Sequence, residues 1–251
     1  MLTIMALTLA IFVLATLYSS VGHAGASGYL AAMALITQMP QEEMKGIALT
    51  LNIFVGCIGT WRFTRAGHFH WPTFWPFAAM AVPLAFVGGL WQLPDAVFQP
   101  LIGAVLLFAA IMLVFRGNRQ TENPKEARMP HLWVALITGG ILGLMAGLTG
   151  TGGGIFLSPL LIICGWAGPK RTAAISIVFV LVNSLAGLGG VIAESPTLPT
   201  ALPIYILGAV IGGLIGSYFG ARQLPGRSIK LLLGVVLTIA AIKMFTIAFA
   251  S

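Results

Sequence analysis

Apolar runs long enough to cross a bilayer follow one another along nearly the whole chain, and two shorter ones stand beside glycine-rich breaks. The long runs cover 2–18, 44–62, 72–92, 97–115, 131–148, 171–193, 201–221 and 229–249; the short ones cover 29–39 and 155–166. About 20 apolar residues span a bilayer as a helix. Only 8% of residues are charged, against about 25% in soluble domains. A soluble fold, disorder and a separate soluble domain are all excluded by that scarcity. The chain is therefore expected to be an all-α polytopic membrane protein. The 13 Lys+Arg outnumber the 6 Asp+Glu, but they sit between apolar runs. They are read as topology markers, and nucleic acid is not an expected partner. Cys57 and Cys164 lie within apolar stretches and read as small packing residues, with no disulfide or metal site proposed. The first run has no Lys or Arg before it, so it is read as a retained membrane helix rather than a secretory signal.

The two halves resemble each other. Gly22, Gly25 and Gly28 match Gly147, Gly150 and Gly153 at an offset of 125 residues, and Lys45 matches Lys170 at the same offset. Gly88-Gly89-Leu90 resembles Gly212-Gly213-Leu214, and Leu101 to Ile111 resembles Leu232 to Ile242 at an offset of 131. The expected organisation is a first repeat over 1–116, a cytoplasmic linker over 117–130 and a second repeat over 131–251. Internal repeats of this kind are common in secondary transporters.

Charge then orients the repeats, because cytoplasmic loops hold the excess of Lys and Arg. The first half has its basic loop at Arg62 to His70; the second has Arg222, Arg227 and Lys230 one loop later. Lys170-Arg171 falls inside, and Glu42, Glu43 and Lys45 fall outside. The halves are thus expected to be inverted, each with a glycine-broken helical hairpin and three further membrane helices. At 1.5 Å per residue, the short helices reach a little past mid-bilayer, so the two glycine turns are expected to approach each other near the midplane.

The strongest motif is Gly147-Leu148-Thr149-Gly150-Thr151-Gly152-Gly153-Gly154. Its glycines form helix poorly and permit positive φ. Polar backbone at membrane depth must line protein or a water-filled cavity. A helix that starts after such a turn offers free N–H groups and the positive end of its dipole, which suits an anion. Thr149 and Thr151 add hydroxyls. The first-half copy carries Gly22, His23, Gly25, Ser27 and Gly28. The competing reading of such glycines is close helix packing, and it accounts for Gly139-Gly140, Gly187-Gly189-Gly190 and Gly212-Gly213-Gly216.

The run GLMAGLTGTGGGIFLSPLLI (Gly143 to Ile162), weakly repeated near Gly22, resembles the sulfite exporter TauE/SafE family of membrane transporters. The stretches Ala48-Leu49-Thr50-Leu51 and Ala174-Ile175-Ser176-Ile177 fit as well. The resemblance implies transport of small sulfur-containing anions, such as sulfite or organosulfonates, across the bacterial inner membrane, with proton coupling. Ala34 stands where the second half has Pro159.

Other polar residues carry two readings each. Asn52, Asn183 and Ser184 are substrate-binding candidates by depth, or interhelical hydrogen-bonding groups. His23 is a candidate for proton coupling, or a neutral histidine serving the turn. Lys45, Lys170 and Arg171 attract anions or anchor topology. Lys243 reads as snorkelling to the outer interface, and Trp61, Trp71, Trp75, Trp91, Trp133 and Trp166 as an interfacial belt. No Walker A pattern is present, so ATP hydrolysis is not expected, nor is any cofactor. A passive anion channel is the alternative to a carrier. A remote one is an intramembrane serine protease, since Gly25-Ala26-Ser27-Gly28 has the G-x-S-G form; Ser27 there has only His23 beside it and nothing to orient that base. Expected partners are a small anionic substrate, the bilayer and, as an option, a second copy in a homodimer.

Overall fold

A computed structural model describes residues 1–20, 22–115, 130–194 and 198–222, with Thr238, Ala241, Ile242, Phe245 and Thr246 of the last apolar run. The linker, Arg227, Lys230 and Lys243 lie outside the described residues. Every regular element described is a helix: α1 (Leu2–Ser20), α2 (Ala26–Ile36), α3 (Gln41–Arg65), α4 (Trp71–Leu90), α5 (Asp95–Phe115), α6 (Leu132–Thr149), α7 (Gly154–Ile163), α8 (Pro169–Glu194) and α9 (Leu202–Arg222). Among them α1, α3, α4, α6, α8 and α9 are long and apolar enough to cross a bilayer. α2 and α7, at 11 and 10 residues, cover about 15 Å, half the hydrocarbon core. The chain is thus a multi-pass helical membrane protein. α2 begins at Ala26, three residues before the apolar run suggests, because Ala26, Ser27 and Gly28 are all buried in the bundle.

Lipid gives packed helices no hydrophobic reason to associate, so close backbone contact must hold them. Glycine supplies it. In α6, Gly139, Gly143 and Gly147 lie on one stripe, and each meets a backbone carbonyl of α4: Phe77, Ala81 and Ala85. In α9, Gly208, Gly212 and Gly216 meet Thr8, Phe12 and Thr16 of α1 in the same way. The next pair is more informative. Gly88 abuts α6 at Leu144 while Gly89 abuts α8 at Gly187. Gly212 abuts α1 at Phe12 while Gly213 abuts α3 at Val55. The two matched glycine pairs therefore wedge α4 between α6 and α8, and α9 between α1 and α3.

α3 and α8 cross at the centre and run antiparallel. Gly46 faces Val191, Gly56 faces Leu181 and Gly59 faces Ile177. The start of α8 accordingly lies beside the loop after α3. Burial lowers the His70 pKa there, and the Arg171 guanidinium lowers it further. At the other end Glu42, Lys45 and Glu194 line one narrow crevice with Gln92. The cation-rich and acid-bearing ends thus fall on opposite sides of the bundle, in keeping with the charge reading. Five of the six tryptophans are well exposed, as an interfacial belt requires; Trp166 packs on Phe77 instead, with ring centroids 5.8 Å apart. The cysteines depart from expectation. Cys57 and Cys164 are exposed, since an outward helix face in lipid accepts a thiol as readily as a core does.

Candidate functional site

The second-half turn is shaped by backbone. α6 ends at Thr149, and Gly150, Gly152 and Gly153 follow with φ of 74°, 73° and 79°. L-residues rarely adopt that region. α7 then starts at Gly154 with no side-chain cap, so its first N–H groups have no side chain to receive them. Space is as restrictive as conformation. A Cβ at Gly152 would stand 2.8 Å from both Asn52 Nδ2 and Ser184 Oγ. One at Gly153 would stand 3.0 Å from the Phe179 ring.

Side chains from α3 and α8 complete this turn. Asn52, near the middle of α3, donates from Nδ2 to the Thr151 carbonyl at 3.4 Å and to Ser184 Oγ at 3.3 Å. The Thr149 and Thr151 hydroxyls share a hydrogen bond of 2.8 Å, and Thr149 also donates to the Met145 carbonyl. Asn52, Asn183, Ser184 and Thr149 are completely buried. Despite that, Asn52 Oδ1 and both amide atoms of Asn183 have no hydrogen-bond partner among the described residues. An unmet buried polar group costs about 1–3 kcal/mol.

The first-half turn is filled by its own side chains. Gly22 and Gly25 have φ of 80° and 107°. The Tyr29 ring closes over Gly25, and its hydroxyl donates to the Ala24 carbonyl at 2.7 Å. Gly28 packs on Tyr18. Ser27 donates to the Tyr18 hydroxyl at 3.1 Å. His23 looks the other way. Its Nε2 lies 3.1 Å from Ser158 Oγ of α7, and Ser158 donates on to Ser176 of α8 at 2.6 Å.

The two turns approach each other through His23 of the first, which reaches Ser158 in the helix that the second opens. Gly22 touches Ala173 at the start of α8 and lies beside Phe63 near the end of α3. Gly150 rests on Lys45 at the start of α3. Lys45 and Phe63 are some 27 Å apart along the helix at 1.5 Å per residue. Each turn therefore rests against the opening of the other half's third helix, and the tips are staggered. α1, at 19 residues, is long enough to carry the first turn past the middle.

The candidates thus divide. Thr149, Gly150, Thr151, Gly152, Gly153, Gly154, Asn52 and Ser184 come together, with Asn183 next to Ser184. Gly22, Gly25, Ser27 and Gly28 form a separate, tyrosine-packed turn, and His23 reaches from it toward α7. Lys45 is only 4% exposed, and its ammonium donates to the Trp91 carbonyl at 3.3 Å. Its sequence counterpart Lys170 is exposed and Arg171 is half-buried. Ser158 and Ser176 were absent from the expected site. A further signal was present in the sequence: Asn52, Gly56 and Gly59 match Asn183, Gly187 and Gly190 at the offset of 131 that also relates the ends of the two halves. It marks both asparagines as one repeated position.

The geometry is that of a multi-pass helical membrane protein broken at two glycine turns, one of them lined by buried amides and hydroxyls. Comparison with known proteins carries this further. The family model for the sulfite exporter TauE/SafE matches residues 7–244, and the chain belongs to that family. It is 38% identical over 242 residues to a probable membrane transporter protein, y4hK, of Sinorhizobium fredii (strain NBRC 101917 / NGR234), covering 95% of this chain and 96% of that one. No solved structure gives a significant match. The protein is a multi-pass transporter of the bacterial inner membrane and not an enzyme.

Proposed function

We propose that the protein is a secondary transporter that moves small sulfur-containing anions, of the sulfite or organosulfonate class, by alternating access around the second-half turn. The observation that carries this reading is the unmet Oδ1 of buried Asn52, whose amide reaches the Thr151 carbonyl just before the uncapped start of α7. Free N–H groups and the helix dipole favour an anion there. Thr149, Thr151 and Ser184 add hydroxyls, and Gly150, Gly152, Gly153 and Gly154 allow the backbone to approach.

The halves 1–116 and 131–251 act as inverted repeats joined by a cytoplasmic linker. The antiparallel crossing of α3 and α8 supports this, as does the exchange of partners by Gly88-Gly89 and Gly212-Gly213. The first-half turn serves as packing and gate. His23 couples transport to protons through Ser158 and Ser176, since imidazole is the side chain whose ordinary pKa lies near neutrality.

The test is uptake of labelled sulfite into proteoliposomes under an imposed pH gradient. Accumulation above the outside concentration is expected; flux that only ever runs downhill would sink the coupled carrier in favour of a channel. In the same assay Gly153→Leu should abolish uptake, because it puts a branched side chain at positive φ against Phe179 and Ala146. Normal uptake by a folded Gly153→Leu protein refutes the site.

A further inference from the structure

The last turn of α3 carries Arg62 and Arg65 to the cation-rich end of the bundle, and each guanidinium lies over an aromatic ring. Arg62 reaches across to α9, 5.6 Å from the centroid of the Tyr218 ring. Arg65 lies 5.5 Å from the centroid of the Trp61 ring, one turn back on its own helix. Contacts of this kind are made by the charge, so the planar N–H fork stays available to the oxygens of an anion. Arginine forks of this kind suit phosphate. Among the described residues neither arginine has a carboxylate partner, and Glu42 and Glu194 stand together at the opposite end.

The arginines end an apolar track. Phe54, Cys57, Trp61 and Arg65 are all exposed, and their spacing puts them on one stripe of α3. α9 borders that stripe, since its Gly213 meets Val55 and Ile58 of α3. Lipid chains lie along any such face of a membrane protein. This one leads to two guanidiniums at the depth where headgroups sit, as the exposed Trp61 beside them marks. We propose that the α3–α9 edge binds an anionic phospholipid, with its phosphate in the fork of Arg62 and Arg65 and its chains along the stripe below. Each cation so placed strengthens binding of an anionic headgroup about fivefold.

Dioleoyl phosphatidylglycerol and dioleoyl phosphatidylcholine test it. They share phosphate and chains, but choline cancels the net charge of the second. Their binding to the purified full chain in neutral detergent is read from thermal stabilisation, since a ligand held only by the folded state raises its apparent stability. Phosphatidylglycerol should bind at least about tenfold more tightly. Arg62→Gln combined with Arg65→Gln should bring the two lipids within about twofold. Lys170→Gln removes an exposed cation from the same end and should keep the preference. Equal binding of the two lipids by the wild-type chain overturns the site without need of any variant. A preference that survives the double arginine change overturns it too. Loss of the preference in Lys170→Gln would make it a matter of net charge and no site at all. Equal stabilisation by inorganic phosphate would assign the arginines to a free anion and overturn the lipid.

Discussion

The two glycine turns occupy matching stretches of sequence and solve the same backbone problem, but they are furnished differently. At the first, Tyr18 and Tyr29 fold over Gly28 and Gly25, and each phenol hydroxyl is matched to Ser27 or the Ala24 carbonyl. At the second the aromatic neighbour is Phe179 of α8, against Gly153, and no ring of the turn's own closes over it. Gly152 stands where Ser27 stands in the first half, and the space is taken by Asn52 and Ser184 from the crossing helices α3 and α8. One turn is closed by residues local to it. The other is built by distant residues whose hydrogen bonds remain incomplete. The matching stretches thus share glycine at Gly22, Gly25 and Gly28 against Gly147, Gly150 and Gly153, and differ in what fills the space around them.

The most direct way to break this comparison is a pair of single-methyl changes. Gly152→Ala forces a Cβ at φ 73° to within 2.8 Å of Asn52 Nδ2 and Ser184 Oγ. Backbone strain alone costs about 1–3 kcal/mol, so uptake should fall by at least ~10-fold. Ser27→Ala at the matching position removes only the hydrogen bond to Tyr18. It should cost about 1 kcal/mol of stability and leave uptake within about threefold. Equal damage from both changes, measured as initial rates in proteoliposomes, would mean that the first turn handles substrate too.

A smaller effect is expected where the first turn reaches out. His23→Gln keeps a group able to hydrogen-bond Ser158 but removes the titrating imidazole. Uptake without a gradient should stay within about twofold, while stimulation by an imposed pH gradient should vanish. A His23→Gln protein that still accumulates anion uphill would separate coupling from this residue.

Much of the fold could be read from the chain because lipid imposes a simple rule: whatever spans must be apolar and helical. The runs foretold α1 to α9 closely, and Gly139, Gly187, Gly190, Gly212 and Gly216 were correctly assigned to close packing. The site was legible in part. Asn52, Asn183 and Ser184 stood out as polar residues in apolar runs, but the approach of Asn52 and Ser184 to Thr151 and Gly152 arises only when α3 and α8 cross. The His23–Ser158–Ser176 chain joins residues up to 153 positions apart. Ser158 and Ser176 look there like ordinary small helix residues. The cysteines failed for a different reason, since in a bilayer an apolar stretch has a lipid face as well as a core.

The lysines give the finest test of how far the halves have diverged. Lys45 and Lys170 match in the repeat, yet Lys45 is buried against Gly150 and holds the Trp91 carbonyl, whereas Lys170 is exposed. Glu42 and Glu194 line the same crevice as Lys45, whose ammonium holds the Trp91 carbonyl. Lys45→Met fills the space with a side chain of similar shape but strips the Trp91 carbonyl of its donor and the acid-lined crevice of its cation. The expected loss is about 1–3 kcal/mol, seen as a lower Tm of the purified protein. Lys170→Met should shift stability by no more than ~0.5 kcal/mol, as exposed substitutions do. If the two variants melt alike, burial of Lys45 contributes nothing, and the start of α3 is no more specialised than the start of α8. If Lys45→Met alone melts early, the same repeated position is a structural cation in one half and a topology marker in the other.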